Sequence, residues 1–113
     1  MADAAHRPDD AEQARLESLL QEALVGVYLK AQVECGYNAR AFHAMLTTEG
    51  ALKTAQHILQ PGDPPENVVE FYRFGRPDLL VEGFAVRREF QPLFTDQERA
   101  EALRRLRLLG YIR

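Results

Sequence analysis

Residues 16–31 read Leu16-Glu17-Ser18-Leu19-Leu20-Gln21-Glu22-Ala23-Leu24-Val25-Gly26-Val27-Tyr28-Leu29-Lys30-Ala31, and they settle the fold class. Leu16, Leu19, Leu20, Ala23, Leu24, Val27, Tyr28 and Ala31 recur at three- and four-residue steps, the period of an α-helix with an apolar stripe. Glu17, Gln21, Glu22, Lys30 and Glu34 fall mostly on the other faces. Upstream, the carboxylate of Asp9 or Asp10 suits the free amides and positive end of a helix N-terminus. Downstream, Gly36 after Cys35 suits a left-handed stop. The spacing therefore predicts one helix of about 25 residues.

Shorter helices follow. Asn38 has the chemistry of a cap for a helix from Ala39 to Thr47 that buries Ala39, Phe42, Met45 and Leu46, and Gly50 breaks it. A third helix places Ala51, Leu52, Ala55, Ile58 and Leu59 inward and Lys53, Thr54, Gln56 and His57 outward. The pair invites comparison with a helix-turn-helix, but that outer face is too poorly basic for DNA. Gln60-Pro61-Gly62-Asp63-Pro64-Pro65 admits no helix and reads as a fixed corner. Glu66–Phe74 forms a short helix stopped by Gly75, and Pro77 opens another. Thr95 and Glu98 have capping-box spacing at the start of a last helix, which runs to Leu109 with Ala102, Leu103, Leu106 and Leu109 inward. Gly110 stops it, with Tyr111 and Ile112 folding back on the last turn. Only Phe84–Phe90 is ambiguous with a strand.

The fold class is thus all-α: a compact orthogonal bundle of about six helices with one long N-terminal helix. Residues 1–8 are a frayed tail and residues 9–113 one helical domain. With 113 residues, 46% hydrophobic and 27% charged, the composition is that of a folded globule. A single cysteine, Cys35, excludes an internal disulfide and a cysteine-rich zinc module. The sequence has neither an apolar run of membrane-spanning length nor a signal-peptide core, so a cytoplasmic protein without membrane contact is expected.

Chemistry-bearing motifs are few. Cys35, His43, His57 and His6 are the metal-ligand candidates, but none shares a helix face at three- or four-residue spacing, so no metal or other cofactor is expected. Ser18 is interior to a helix, Cys35 lies at the negative end of one, and no glycine-rich phosphate loop is present. No catalytic residue is assigned.

Two polar clusters remain. Arg73 and Arg76 precede Asp78 and Glu82, which are four apart and thus on one face of a continuous helix. Neighbouring carboxylates of that kind can divide acid and base roles beside an anion-holding arginine; they can equally pin a corner through ion pairs. Arg99, Arg104, Arg105 and Arg107 on the last helix are the second cluster, a candidate anion-binding face. Residues 71–113 carry nine arginines against six acids, whereas residues 1–70 carry eleven acids against five basic residues. Five of the six phenylalanines, Phe71, Phe74, Phe84, Phe90 and Phe94, lie among those arginines. They are either a stacking platform for single-stranded nucleic acid or, in a tryptophan-free domain, core.

Several segments carry a resemblance. They are Val27–Ala31, Glu34-Cys35-Gly36-Tyr37-Asn38-Ala39, Gly75-Arg76-Pro77-Asp78-Leu79 with Val81-Glu82, and Pro92-Leu93-Phe94-Thr95 with Ala102, Leu106, Gly110 and Tyr111. From residue 27 onward the chain resembles a group of small bacterial helical domains with Tyr-Asn-Ala, Arg-x-Asp-Leu and Pro-Leu-Phe-Thr elements and no assigned activity. It departs from them at Pro77, where an aliphatic residue is usual, and at the single Gly50, where a pair is common. The resemblance implies a helical fold and an accessory role, in some cases beside nucleic-acid processing or defence, and transfers no catalytic residue.

The resulting expectation is a non-catalytic accessory or protein-interaction module. Its partner, a second protein or a second copy, docks on the long N-terminal helix where Val25 and Leu29 extend the apolar stripe. The alternatives are a nucleic-acid-binding protein using the arginine-rich half and an enzyme using Arg76, Asp78 and Glu82.

Overall fold

A computed structural model describes residues 9–113; the expected tail, residues 1–8, lies outside them. Five α-helices and three 3-10 helices make up the described chain, with no strand among its residues. The α-helices are α1 (Asp10–Cys35), α2 (Arg40–Glu49), α3 (Ala51–Ile58), α4 (Val81–Ala85) and α5 (Asp96–Leu108). The 3-10 helices are Glu66–Phe74, Pro77–Leu79 and Arg88–Leu93. The globule measures 47 × 31 × 20 Å, and α1 packs against α2, α3 and the last two 3-10 helices.

Local chemistry accounts for the ends. Asp9 caps α1, accepting the Glu12 amide at 2.7 Å. Gly36 takes the left-handed conformation, φ 65°, that lets its own amide and that of Tyr37 reach the Ala31 carbonyl. The Thr95/Glu98 capping box forms in both directions. At the other end of α5 the Tyr111 amide bonds the Leu106 carbonyl and Gly110 bonds Arg107, a Schellman closure. Asn38 does not cap α2, whose N-cap is Ala39; its side-chain oxygen accepts from the Tyr28 hydroxyl at 2.9 Å. A partner on the long helix outcompetes the local cap.

Beyond the proline corner the chain winds more tightly than an α-helix. Glu66–Phe74 and Pro77–Leu79 are 3-10 turns, and the backbone is extended at Leu80 (φ −100°, ψ 134°) before α4 begins. Asp78 and Glu82 therefore do not share a continuous helix. Gly83 sits against the Pro77 carbonyl, where an added Cβ would approach to 3.1 Å, so a side chain there would push the two short elements apart by a few tenths of an ångström. The ambiguous Phe84–Phe90 stretch is the end of α4, a turn and the start of the last 3-10 helix.

One core joins Leu16, Leu20, Leu24, Val27 and Ala31 of α1 to Phe42, Leu46, Ile58, Phe71, Leu79, Phe84, Phe90, Phe94 and Leu106. Phe74 is half-buried against it. The aromatic rings are interior packing, with Phe42 and Phe71 meeting edge-on at 5.2 Å. Leu19 and Leu109, expected to face inward, are each 39% exposed, and Thr54, expected to face outward, is fully buried.

Candidate functional site

The four arginines proposed as an anion-binding face divide at once, because Arg105 is interior. Helix α5 packs closely on α4, which places the Arg105 guanidinium, 5% exposed, beside the fully buried Glu82. All five of its N–H donors are used. Nε donates to Glu101 at 2.8 Å; Nη1 donates to the Ile58 carbonyl at 2.6 Å and to Glu82 at 3.0 Å. Nη2 donates to the Gln60 and Gly62 carbonyls at 2.6 and 3.2 Å. A guanidinium so occupied has no donor left for a ligand. Its work is structural: it binds carbonyls at the end of α3 and in the proline corner, where no helix continues to supply amides.

The Tyr72 hydroxyl donates to the same Glu82 oxygen. Burial, then the adjacent Glu82 charge, pushes the Tyr72 pKa well above the ordinary phenol range, so the hydroxyl keeps its proton. Burial works to lower the Arg105 pKa, but the bonds to Glu82 and Glu101 outweigh it and the net shift is upward. The void beside Tyr72 and Glu82 holds about 10 Å³, water-sized at most, and cannot admit a substrate.

Asp78 belongs to a different neighbourhood. At the surface, Arg76 donates from Nε and Nη2 to Asp78 at 3.0 and 2.9 Å and from Nη2 to Glu34 at 2.7 Å. Lys30 reaches Asp78 at 3.4 Å. The cluster straps the Pro77 turn to the end of α1. The structure thus separates the two carboxylates that the sequence spacing had put on one face, and each meets cations instead of the other.

Hydrogen bonding from Arg76 holds the Asp78 pKa at about 2, against an ordinary 3.8. Hydrogen bonding from Arg104, with Arg105 adding to it, holds Glu101 at about 2, against an ordinary 4.5. A carboxylate with a depressed folded-state pKa contributes stability above its unfolded pKa and loses it as pH falls through the folded value. The urea midpoint is expected to change little between pH 7 and 5 and to fall steadily from about pH 4.5 to 2. Asp78→Asn is expected to flatten part of that fall, as urea titrations at stepped pH would read out.

The other arginines of the two clusters also find partners within the chain. Arg73 pairs with Glu70 at 2.9 Å, Arg99 with Asp96 at 3.4 Å and Arg104 with Glu101 at 2.6 Å. Arg107 donates to the Arg113 carbonyl at 3.2 Å. Beside this end of α5 an open groove of about 500 Å³ runs between Asp63, Pro64, Val69, Leu108 and Leu109. Arg105 lines it, already fully coordinated.

The feature the sequence reading missed is on α1. Turned by 100° per residue, Leu16, Leu20, Leu24, Val27 and Ala31 face the core, and a second row faces away from it. That row is Leu19, Glu22, Gly26, Leu29 and Val33, spaced three, four, three and four. Leu29 is 52% exposed and Val33 83%. Leu29 therefore lies opposite the core stripe instead of extending its edge, while Val25 is half-buried against the core. Gly26 is helical, and a Cβ added there would meet nothing within 4 Å. A mid-helix glycine costs about 0.5–1 kcal/mol relative to alanine, and nothing in the chain's own packing requires it. The signal was legible in the spacing, but reading one merged stripe concealed two.

Compared with known proteins, the chain matches no family model, no curated protein and no solved structure. The bacterial resemblance rests on its quoted motifs alone. Among the described residues, no helix is long and apolar enough to cross a membrane and no group of three or more His, Cys, Asp or Glu is gathered as for a metal ion.

Proposed function

We propose that the protein is a non-catalytic protein-interaction module that docks its partner on the outer face of α1. The observation that carries this reading is the apolar row Leu19, Leu29 and Val33, which points away from the core on the longest helix. Complete burial of one such side chain is worth about 1.5–3 kcal/mol, so covering this row supplies real binding energy. The fold spends its charged residues on itself, which favours a docking role over chemistry: Asp78, Glu82, Arg76 and Arg105 are held in ion pairs. The arginine-rich half offers phosphate less than its composition suggests, because Arg73, Arg99, Arg104 and Arg105 already have carboxylate partners. A bacterial accessory role, as the motif resemblance implies, belongs to the same reading.

A photo-crosslinking residue placed at Leu29, with the protein at native abundance in its own cells, tests this. A discrete covalent adduct that disappears when Val33→Lys is added supports docking on this face. Yield no higher than from the exposed position Arg88 would remove the proposal.

A further inference from the structure

We infer that the partner on this face is a second copy of the chain, packed antiparallel along α1. The inference rests on the reading that the outer face of α1 is the docking surface and adds what occupies it. The three-four spacing extends to seven-residue repeats in two phases, Leu19, Gly26 and Val33 in one, Arg15, Glu22 and Leu29 in the other. Such a seam buries itself against another helix carrying the same spacing. A two-fold dimer presents the same patch on both sides, so the patch must complement itself.

Here it does so in one direction only. Side by side in parallel, the helices would set Glu22 against Glu22 and Arg15 against Arg15, like charges facing at contact distance. Antiparallel, each phase meets the other. Leu19 then lies against the second copy's Leu29, and Val33 lies along the aliphatic stem of the second copy's Arg15. Glu22 faces the second copy's Gly26. The missing Cβ at Gly26, where the chain itself leaves open space, makes room for the Glu22 stem. Lys30, one turn beyond Gly26 and 3.4 Å from Asp78 of its own chain, then also neighbours the Glu22 carboxylate of the second copy. Every layer pairs twice across the two-fold axis. A single helix pair is a small interface, so the association is reversible.

Sedimentation of the purified chain between about 10 and 500 µM, the range in which an interface of this size associates, is the first measurement. The weight-average mass is expected to climb from 12.9 kDa toward twice that value. Leu29→Glu and Gly26→Leu are expected to keep the protein monomeric at the highest concentration. Both positions are open in the monomer, so its helical circular dichroism stays and the Gly26→Leu melting temperature does not fall. Orientation is read in a Cys35→Ser background by mild oxidation. Leu19→Cys mixed with Leu29→Cys should cross-link, while Leu29→Cys alone should not.

A monomer throughout the range, or Leu29→Cys cross-linking to itself as well as to Leu19→Cys, would overturn the inference. The two readings fail separately. A monomer that still forms a cellular adduct with a different protein at Leu29 ends the homodimer and keeps the docking face. A monomer without any adduct ends both.

Discussion

Arg105→Ala is expected to lower the free energy of unfolding by about 3–5 kcal/mol, the cost of removing one partner from a buried ion pair. The physical reason is what the substitution strands. Glu82 is fully buried and receives hydrogen bonds at one oxygen, from Arg105 and Tyr72; its other oxygen has no protein partner. Without the guanidinium that carboxylate is an uncompensated charge in a low-dielectric interior, and the carbonyls of Ile58, Gln60 and Gly62 lose their donor together. Urea denaturation followed by circular dichroism measures the loss. The paired replacement Arg105→Met with Glu82→Leu removes both charges and is expected to recover much of the stability, since a buried ion pair is often no better than well-packed apolar side chains. If Arg105→Ala cost less than about 1 kcal/mol, comparable to an exposed pair, the node would not be holding the corner.

Phe42→Ala is expected to cost about 3–5 kcal/mol by the same measurement. Phe42 is 1% exposed, its ring meets Phe71 at 5.2 Å, and Phe71 in turn contacts Tyr37 at 5.5 Å. The ring thus connects α2 to the first 3-10 helix and to the turn after α1. It also borders the small void beside Glu82, so deletion opens a larger cavity next to an already costly polar group. Leu29→Ala, on the opposite side of α1, should change monomer stability by no more than about 0.5 kcal/mol. A large loss there would mean that Leu29 is packed in the monomer and unavailable for docking.

The contrast between Asp78 and Glu82 shows how far local pattern reaches. Four-residue spacing placed them on one face, and that inference held only while the helix was continuous. The extended residue Leu80 interrupts it, and the chain direction changes between the two carboxylates. Arg105 escapes local pattern for a related reason. In sequence it is one more arginine beside an apolar stripe, indistinguishable from Arg104, yet Arg104 is half exposed and Arg105 is enclosed. What separates them is the angle at which α5 meets α4 and the presence of three unpaired carbonyls opposite, neither of which is written in neighbouring residues. The outer row on α1 is the converse case: its spacing was present in the sequence, but only burial separates a row facing the core from one facing away.

Sequence alone determined the helical class, the long first helix with an acidic cap and a Gly36 stop, and the capped last helix; burial then put the phenylalanines in the interior. The helices and their ends arise from periodicity and from backbone groups satisfied within a few residues, so local chemistry suffices. Tertiary structure decided which charges are buried, how the proline corner is tied and which leucines remain in contact with water. Those outcomes depend on the angles between helices far apart in the chain, where the desolvation of a charge is offset only by partners that folding brings to it.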